Sequence, residues 1–179
     1  MNHNAVKNSL NQTNSLPPPR AFEAIVYGGL AVGVLDILDA ITFFGWYRQM
    51  TAVSVLQSVA GGLYGRDAFN GGAKTAVLGL CLHFLNATLF ATAFYFLSRI
   101  LPVLIRHAVI AGLAYGVAAH LVMQYIVIPH SAYGPSTRPT PWPAHVNGYV
   151  GHALLVGLPI ALIARWSAKR RSRAPLNPS

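Results

Sequence analysis

The residues of this chain that could do chemistry are ionisable or polar side chains inside long apolar stretches. Imidazole and carboxylate groups can carry protons, bind cations or ligate a metal ion. They are costly in lipid, so within a membrane protein they mark a functional site or a contact between helices. The candidates, in chain order, are Asp36, Asp39, His83, Asn86, His120, Gln124 and His152.

Glycine and histidine recur with one spacing in three of these stretches. The pairs, each separated by three residues, are Gly79 and His83, Gly116 and His120, and Gly148 and His152. Residues four apart lie on one face of a helix, and small residues mark the faces at which membrane helices approach one another. The histidines are therefore expected to point into a bundle. The glycines predicted to pack between helices are Gly29, Gly33, Gly79, Gly112, Gly116 and Gly148.

The predicted depths of the ionisable groups agree, although neighbouring helices run in opposite directions. At ~1.5 Å per residue, Asp36, His83 and His120 lie roughly 12 Å below the outer ends of their helices. Asp39 and His152 lie roughly 8 to 9 Å below theirs. Arbitrary placement would scatter such groups across the membrane. We therefore expect a buried Asp/His site in the outer half of the bundle.

One interpretation of this site is a metal centre. Three imidazoles, those of His83, His120 and His152, with the carboxylate of Asp36 would suit Zn²⁺, and a zinc-bound water becomes a nucleophile near neutral pH. Such a site would suit a membrane-embedded hydrolase. A haem held by two histidines would use the same residues.

A second interpretation is that the site handles protons or a cation, in transport or in sensing, as carboxylate and imidazole groups do in pumps. Four helices are few for a transporter, so a homodimer is expected in that case. A third interpretation is an accessory subunit in which polar side chains only hold the helices together. The sequence slightly favours proton or cation handling, and it does not decide whether the protein is an enzyme.

Four apolar helices must position these groups. Hydrophobic residues make up 54% of the chain, charged residues 9%, and the mean hydropathy is +0.45. Each stretch covers ~30 Å as a helix, which is the thickness of the hydrocarbon core. The sequence therefore predicts an all-α fold, a four-transmembrane-helix bundle. The predicted spans are about 22–44, 75–97, 103–128 and 146–166.

The distribution of cations predicts that both ends of the chain are cytoplasmic. Nine of the 13 Lys and Arg residues fall on one side, namely Lys7, Arg20, Arg99, Arg106, Arg165, Lys169, Arg170, Arg171 and Arg173. The other side receives Arg48, Arg66, Lys74 and Arg138. Residues 1–21 are predicted to be a disordered cytoplasmic tail. The basic tail, 169–179, is predicted to bind anionic lipid headgroups. Nucleic-acid binding is excluded, because no basic stretch is interleaved with aromatic residues.

The two outer connections differ in composition. In the first, from Gly45 to Lys74, the part from Met50 to Ala60 is predicted to be a helix at the membrane interface, with a shallow re-entrant segment as the alternative. The second, residues 129–144, is rich in proline and is expected to be extended. His130 and His145 flank it and are interpreted as loop histidines without a role, with further ligation or pH sensing as the alternative.

Short motifs follow one another from the second stretch to the basic tail. They are His83-Phe84, the run from Ala91 to Phe96, Pro102, Gly112 to Gly116 with His120, Pro129 with Gly134, and Gly151-His152. In this order, over residues 83–170, the chain resembles the YagU-like family of small bacterial inner-membrane proteins. The resemblance implies a multi-pass helical fold in the bacterial inner (plasma) membrane and no particular biochemical activity. The first stretch, with Asp36 and Asp39, matches the family less closely.

Overall fold

The computed structural model describes residues 16–135 and 139–173, and every regular element in these ranges is helical. Four helices are long and apolar enough to cross a membrane, which is compatible with a multi-pass membrane protein. The helices are α1 (Glu23–Arg48), α2 (Ala52–Tyr64), α3 (Gly72–Ile100), α4 (Val103–Arg106), α5 (Ala108–Val127) and α6 (Trp142–Arg173). A 3₁₀ segment, Gly65–Asn70, joins α2 to α3.

The long helices differ from the predicted spans mainly at their ends. The third begins at Ala108 rather than at residue 103, because His107 has non-helical backbone angles and separates the single turn of α4 from α5. The fourth begins at Trp142 rather than at 146. Pro143 sits in its first turn, where a missing backbone N–H costs nothing.

Glycines lie at the close contacts between the helices. A Cβ on Gly29 or Gly33 of α1 would meet Thr88 or Phe84 of α3. A Cβ on Gly116 of α5 would meet the backbone of α6. The remaining predicted packing glycines also face another helix: Gly79 faces α2, Gly112 faces α6, and Gly148 faces α5. Small residues at these positions let the helix backbones approach.

Helix α2 packs closely against α3. Thr51 caps its first turn by accepting a hydrogen bond from the Ser54 amide. Ala60 is fully buried, and Gln57, which is 5% exposed, donates from Nε2 to the carbonyl oxygen of Gly72 at 3.0 Å. The predicted helix of the first connection therefore exists, and it forms part of the helical packing. Its position relative to a membrane surface stays a prediction.

The two connections meet at one end of the bundle, which we call the loop end. The amide of Ala132 donates to the carbonyl oxygen of Gly62 at 2.9 Å, and the hydroxyl of Tyr133 donates to that of Ser58 at 2.9 Å. The opposite end, where Glu23 forms ion pairs with Arg20 and Arg170, is called the terminal end.

The half of the bundle nearer the terminal end is filled by small and aromatic side chains. Phe94 is fully buried, and its ring packs edge to face on Tyr115 at 5.0 Å between centroids. The Tyr115 hydroxyl donates to the carbonyl oxygen of Phe90 at 2.7 Å. Alanines complete this core, among them Ala91, Ala108, Ala161 and Ala164. This half is tightly packed, and the space between the helices lies in the other half.

A wide helical turn begins at one of the predicted site residues. The π-helical segment His152–Gly157 interrupts α6 directly before Pro159. A proline inside a helix cannot donate to the carbonyl four residues earlier, and its ring clashes with that carbonyl, so the turn before it distorts. Such π turns are frequent at functional sites.

Candidate functional site

A cavity of about 320 Å³ lies between α1, α2, α3, α5 and α6 on the side of the loop end. All seven polar residues singled out from the sequence line it: Asp36, Asp39, His83, Asn86, His120, Gln124 and His152. None of them is exposed on the outer surface of the bundle. The four long helices therefore direct these side chains into one shared space.

Two histidines form the contact between α5 and α6 in this cavity. His120 is the most buried of the set, at 8% exposure, and its ring centroid lies 4.9 Å from that of His152. The ring of Tyr149, also from α6, packs edge to face on His120 at 4.7 Å between centroids. Gly148 lies against the His120 ring, where any side chain would collide with the imidazole. The position of His120 is thus fixed by aromatic packing and by a glycine.

The carboxylates of α1 approach α6. Asn147 donates from Nδ2 to Oδ2 of Asp39 at 2.8 Å. Asp36, one helical turn earlier, lines the same cavity and lies within electrostatic interaction range of His120. Both carboxylates are therefore close to polar groups carried by other helices.

Two further hydrogen bonds connect polar members of the cavity to the backbone and to the loop. His83 shares a hydrogen bond of 2.9 Å between its Nε2 and the carbonyl oxygen of Gly33 in α1. Gln124 donates from Nε2 to the hydroxyl of Thr140 at 3.2 Å. Because Thr140 lies in the second connection, the loop contributes to the wall.

Sequence reasoning missed part of this wall. His145, Asn147, Thr140 and Ser58 also line the cavity. His145 was assigned to the loop because its neighbouring prolines were interpreted as extended chain, whereas it lies in the first turn of α6. Its spacing of seven residues before His152 places both on one helix face and could have identified it.

In the part of the chain that the structure describes, the lining of the cavity includes two carboxylates and no lysine or arginine. The ion pairs found in the described ranges are those of Glu23, which lie at the terminal end. A carboxylate without a nearby cation in a largely apolar space attracts protons or a positively charged ligand.

The chain matches no protein-family model, no curated protein and no solved structure. The cavity and its side chains are therefore the basis for assigning a function.

The predicted metal ligands do not come together as a ligand set. In residues 16–135 and 139–173, no group of three or more His, Cys, Asp or Glu side chains is arranged to hold a metal ion. His83 is bonded to the Gly33 carbonyl on the α1 side, whereas His120 and His152 are adjacent on the α5 and α6 side. A haem does not fit between His120 and His152, because rings 4.9 Å apart leave no room for a porphyrin and two axial bonds.

The lining of the cavity does not reach the terminal end of the bundle. Val32, Phe90 and Val156 line the deepest part of the cavity. Behind them lies the buried core around Phe94. A solute that enters from the loop end therefore meets a closed apolar floor in this conformation.

Proposed function

We propose that this protein handles protons or a cation, in transport or in sensing, and that the cavity is its binding site. Asp36 and Asp39 supply the negative charge. His83, His120 and His152 accept or pass protons, and Asn86 and Gln124 complete the polar wall. The observation that carries the proposal is the convergence of these seven side chains from four helices on one cavity that lacks a compensating lysine or arginine in its described lining.

The closed floor favours binding from the loop end. Transport would require a second conformation in which the contacts around Phe94 and Tyr115 open towards the terminal end. Sensing requires only that occupancy of the cavity changes the packing of α6 against α1 and α5. In this proposal, the conformation with the closed floor is the one that binds the cation from the loop end.

The proposal is tested by measuring charge displacement in liposomes that contain the purified protein. A rapid jump in pH, Na⁺ or K⁺ should give a saturable transient current as the cation enters the cavity. The double substitution Asp36→Asn with Asp39→Asn should abolish the current for the ion that produces it. Asp67→Asn is the matched control, since Asp67 is an exposed carboxylate outside the cavity.

Thermal unfolding of each variant shows whether it is still folded. An unchanged current in the folded double variant would contradict the proposal, and so would a wild-type protein that gives no current for any of the three ions and binds no other cation in the cavity. A current lost equally in Asp67→Asn would point to surface charge instead of the cavity.

A purely structural role is the second candidate. Its support is the hydrogen bond between Asn147 and Asp39 and that between His83 and Gly33, both of which join different helices. An accessory subunit would need no more than this. The membrane-embedded zinc hydrolase is a weaker candidate, since its ligands are not gathered.

The setting of the protein is part of the same proposal. We propose that it belongs with the YagU-like proteins of the bacterial inner membrane and that both termini are cytoplasmic. The loop end would then face outward. The basic residues after Trp166 would bind anionic lipid headgroups, and two copies would form a homodimer if the protein transports its ion.

A further inference from the structure

We infer that the ligand of this cavity is an organic cation, a protonated amine on an apolar body. The inference rests on the proposed function, because it names the class of cation that the same site takes.

The size of the cavity is the first argument. About 320 Å³ lies in the range of pockets that enclose small organic molecules, roughly 300 to 1,000 Å³. An inorganic cation needs far less space, and its ligands close around it at distances of ~2.0 to 2.6 Å. In the described ranges the carboxylate and imidazole groups are not gathered in this way.

The second argument is that the lining combines two carboxylates with a surface that is more than half apolar. The carboxylates project from α1, and the amide of Asn147 orients one of them. Most of the remaining lining is apolar, with contributions from Val32, Ile37, Phe44, Phe90, Met123, Ile128 and Val156. An ammonium group would lie beside the carboxylates while its carbon body contacts these apolar side chains. Two of the lining residues, Phe44 and Phe90, are aromatic, and aromatic rings attract cations.

Matched ligands test the charge requirement. Binding to the protein in nanodiscs is measured by calorimetry for 2-phenylethylammonium, for 2-phenylethanol as its neutral counterpart and for 3-phenylpropanoate as an anion. Empty nanodiscs give the background from partition into lipid. We expect saturable binding of the ammonium compound alone. In Asp36→Asn its Kd should rise at least about tenfold, because the buried charge loses its partner. In Asp67→Asn its Kd should be unchanged.

A cavity-filling substitution tests the volume requirement. Ala144 lines the cavity, so Ala144→Phe should remove space for an organic body while leaving both carboxylates in place. We expect it to abolish binding of 2-phenylethylammonium, because the phenyl ring at position 144 would occupy the space of the organic body. Val146→Phe is the matched control, because Val146 is 39% exposed and lies outside the cavity.

The outcomes separate this inference from the proposed function. Equal binding of the alcohol and the ammonium compound would overturn the organic-cation inference, and so would undiminished ammonium binding in a folded Ala144→Phe variant. Ion-driven currents from a wild-type protein that binds no amine would overturn the inference and leave the proposed function standing. Loss of both the currents and the amine binding in the wild type would overturn both.

Discussion

At the scale of single residues, the two carboxylates of α1 differ in what they contact. Asp39 accepts a hydrogen bond from Asn147 across a helix interface, whereas Asp36 lines the cavity near His120. At position 39, any hydrogen-bond acceptor of similar shape could accept from Asn147. At position 36, the negative charge itself is needed to attract a cation. Substitutions can therefore separate the part of this site that holds helices together from the part that attracts a cation.

Replacement of Asp39 by two different residues separates these roles. In Asp39→Asn the amide oxygen can still accept the hydrogen bond from Asn147, so we expect the free energy of unfolding to change little. In Asp39→Leu the buried amide of Asn147 loses its acceptor, and we expect a loss of about 1 to 3 kcal/mol. Unfolding in mixed micelles measures both. Equal stabilities of the two variants would mean that this hydrogen bond contributes nothing to the fold.

Gly148→Ala tests the fixed position of His120. The added methyl group would collide with the imidazole, so either the ring or the helix must move, and we expect a loss of about 1 to 3 kcal/mol together with a weaker ion-driven current. Gly45→Ala is the control, because a Cβ at Gly45 of α1 makes only ordinary contact with the carbonyl oxygen of Met50. If both alanine variants were as stable as the wild type, the described contact with His120 would be contradicted.

Residue types and spacing were enough to select much of the site. The glycine and histidine spacing and the agreement in depth identified seven side chains that all line one cavity. The hydrogen bond that Asn147 donates to Asp39 could not be predicted. Residue spacing within each helix does not determine how α6 is rotated relative to α1. The separation of His83 from the other two histidines was missed for the same reason.

At the scale of elements, the two connections act together as one wall of the cavity. Tyr133 of the second connection bonds to Ser58 of α2, and its ring lies against Gly61.

Four apolar helices could be predicted because apolar length alone decides them. The packing of α2 on α3 could not be predicted, because the moderately apolar sequence of α2 suits a membrane surface as well as a buried contact. His145 was missed because prolines are compatible with a loop and with the first turn of a helix.

The titration of Tyr133 tests its packing against α2. Burial raises the pKa of its phenol above the ordinary value of 10.0, and the nearby Arg66 partly opposes this rise. Because the pKa of Tyr133 is higher in the folded than in the unfolded protein, the neutral phenol contributes to the free energy of unfolding. This contribution is complete below pH 10.0 and is lost as the pH rises through the pKa of the folded state. The tyrosinate absorbance of the wild type minus that of Tyr133→Phe should therefore titrate with a midpoint above 10.0. A midpoint at or below that value would contradict the packing.

At the scale of the whole molecule, the alternation of helix direction explains how one cavity can draw on every long helix. The chain crosses the bundle four times, so groups at one depth come from different positions along their helices. The tightly packed half near the terminal end stabilises the bundle, and the more open half carries the polar groups. A site that depended on one helix would not require this agreement in depth.

Cysteine accessibility tests most directly whether Asp36 faces a cavity that water can enter and not lipid. In a Cys81→Ala background, which removes the natural exposed thiol, Asp36→Cys is compared with Leu35→Cys, since Leu35 is 38% exposed on the outer surface of the same helix at nearly the same depth. A charged, membrane-impermeant methanethiosulfonate is added from the loop end to the protein in a bilayer. It should modify the cysteine at position 36 many times faster, because thiolates form in water and not in lipid. Equal rates at positions 35 and 36 would contradict the account.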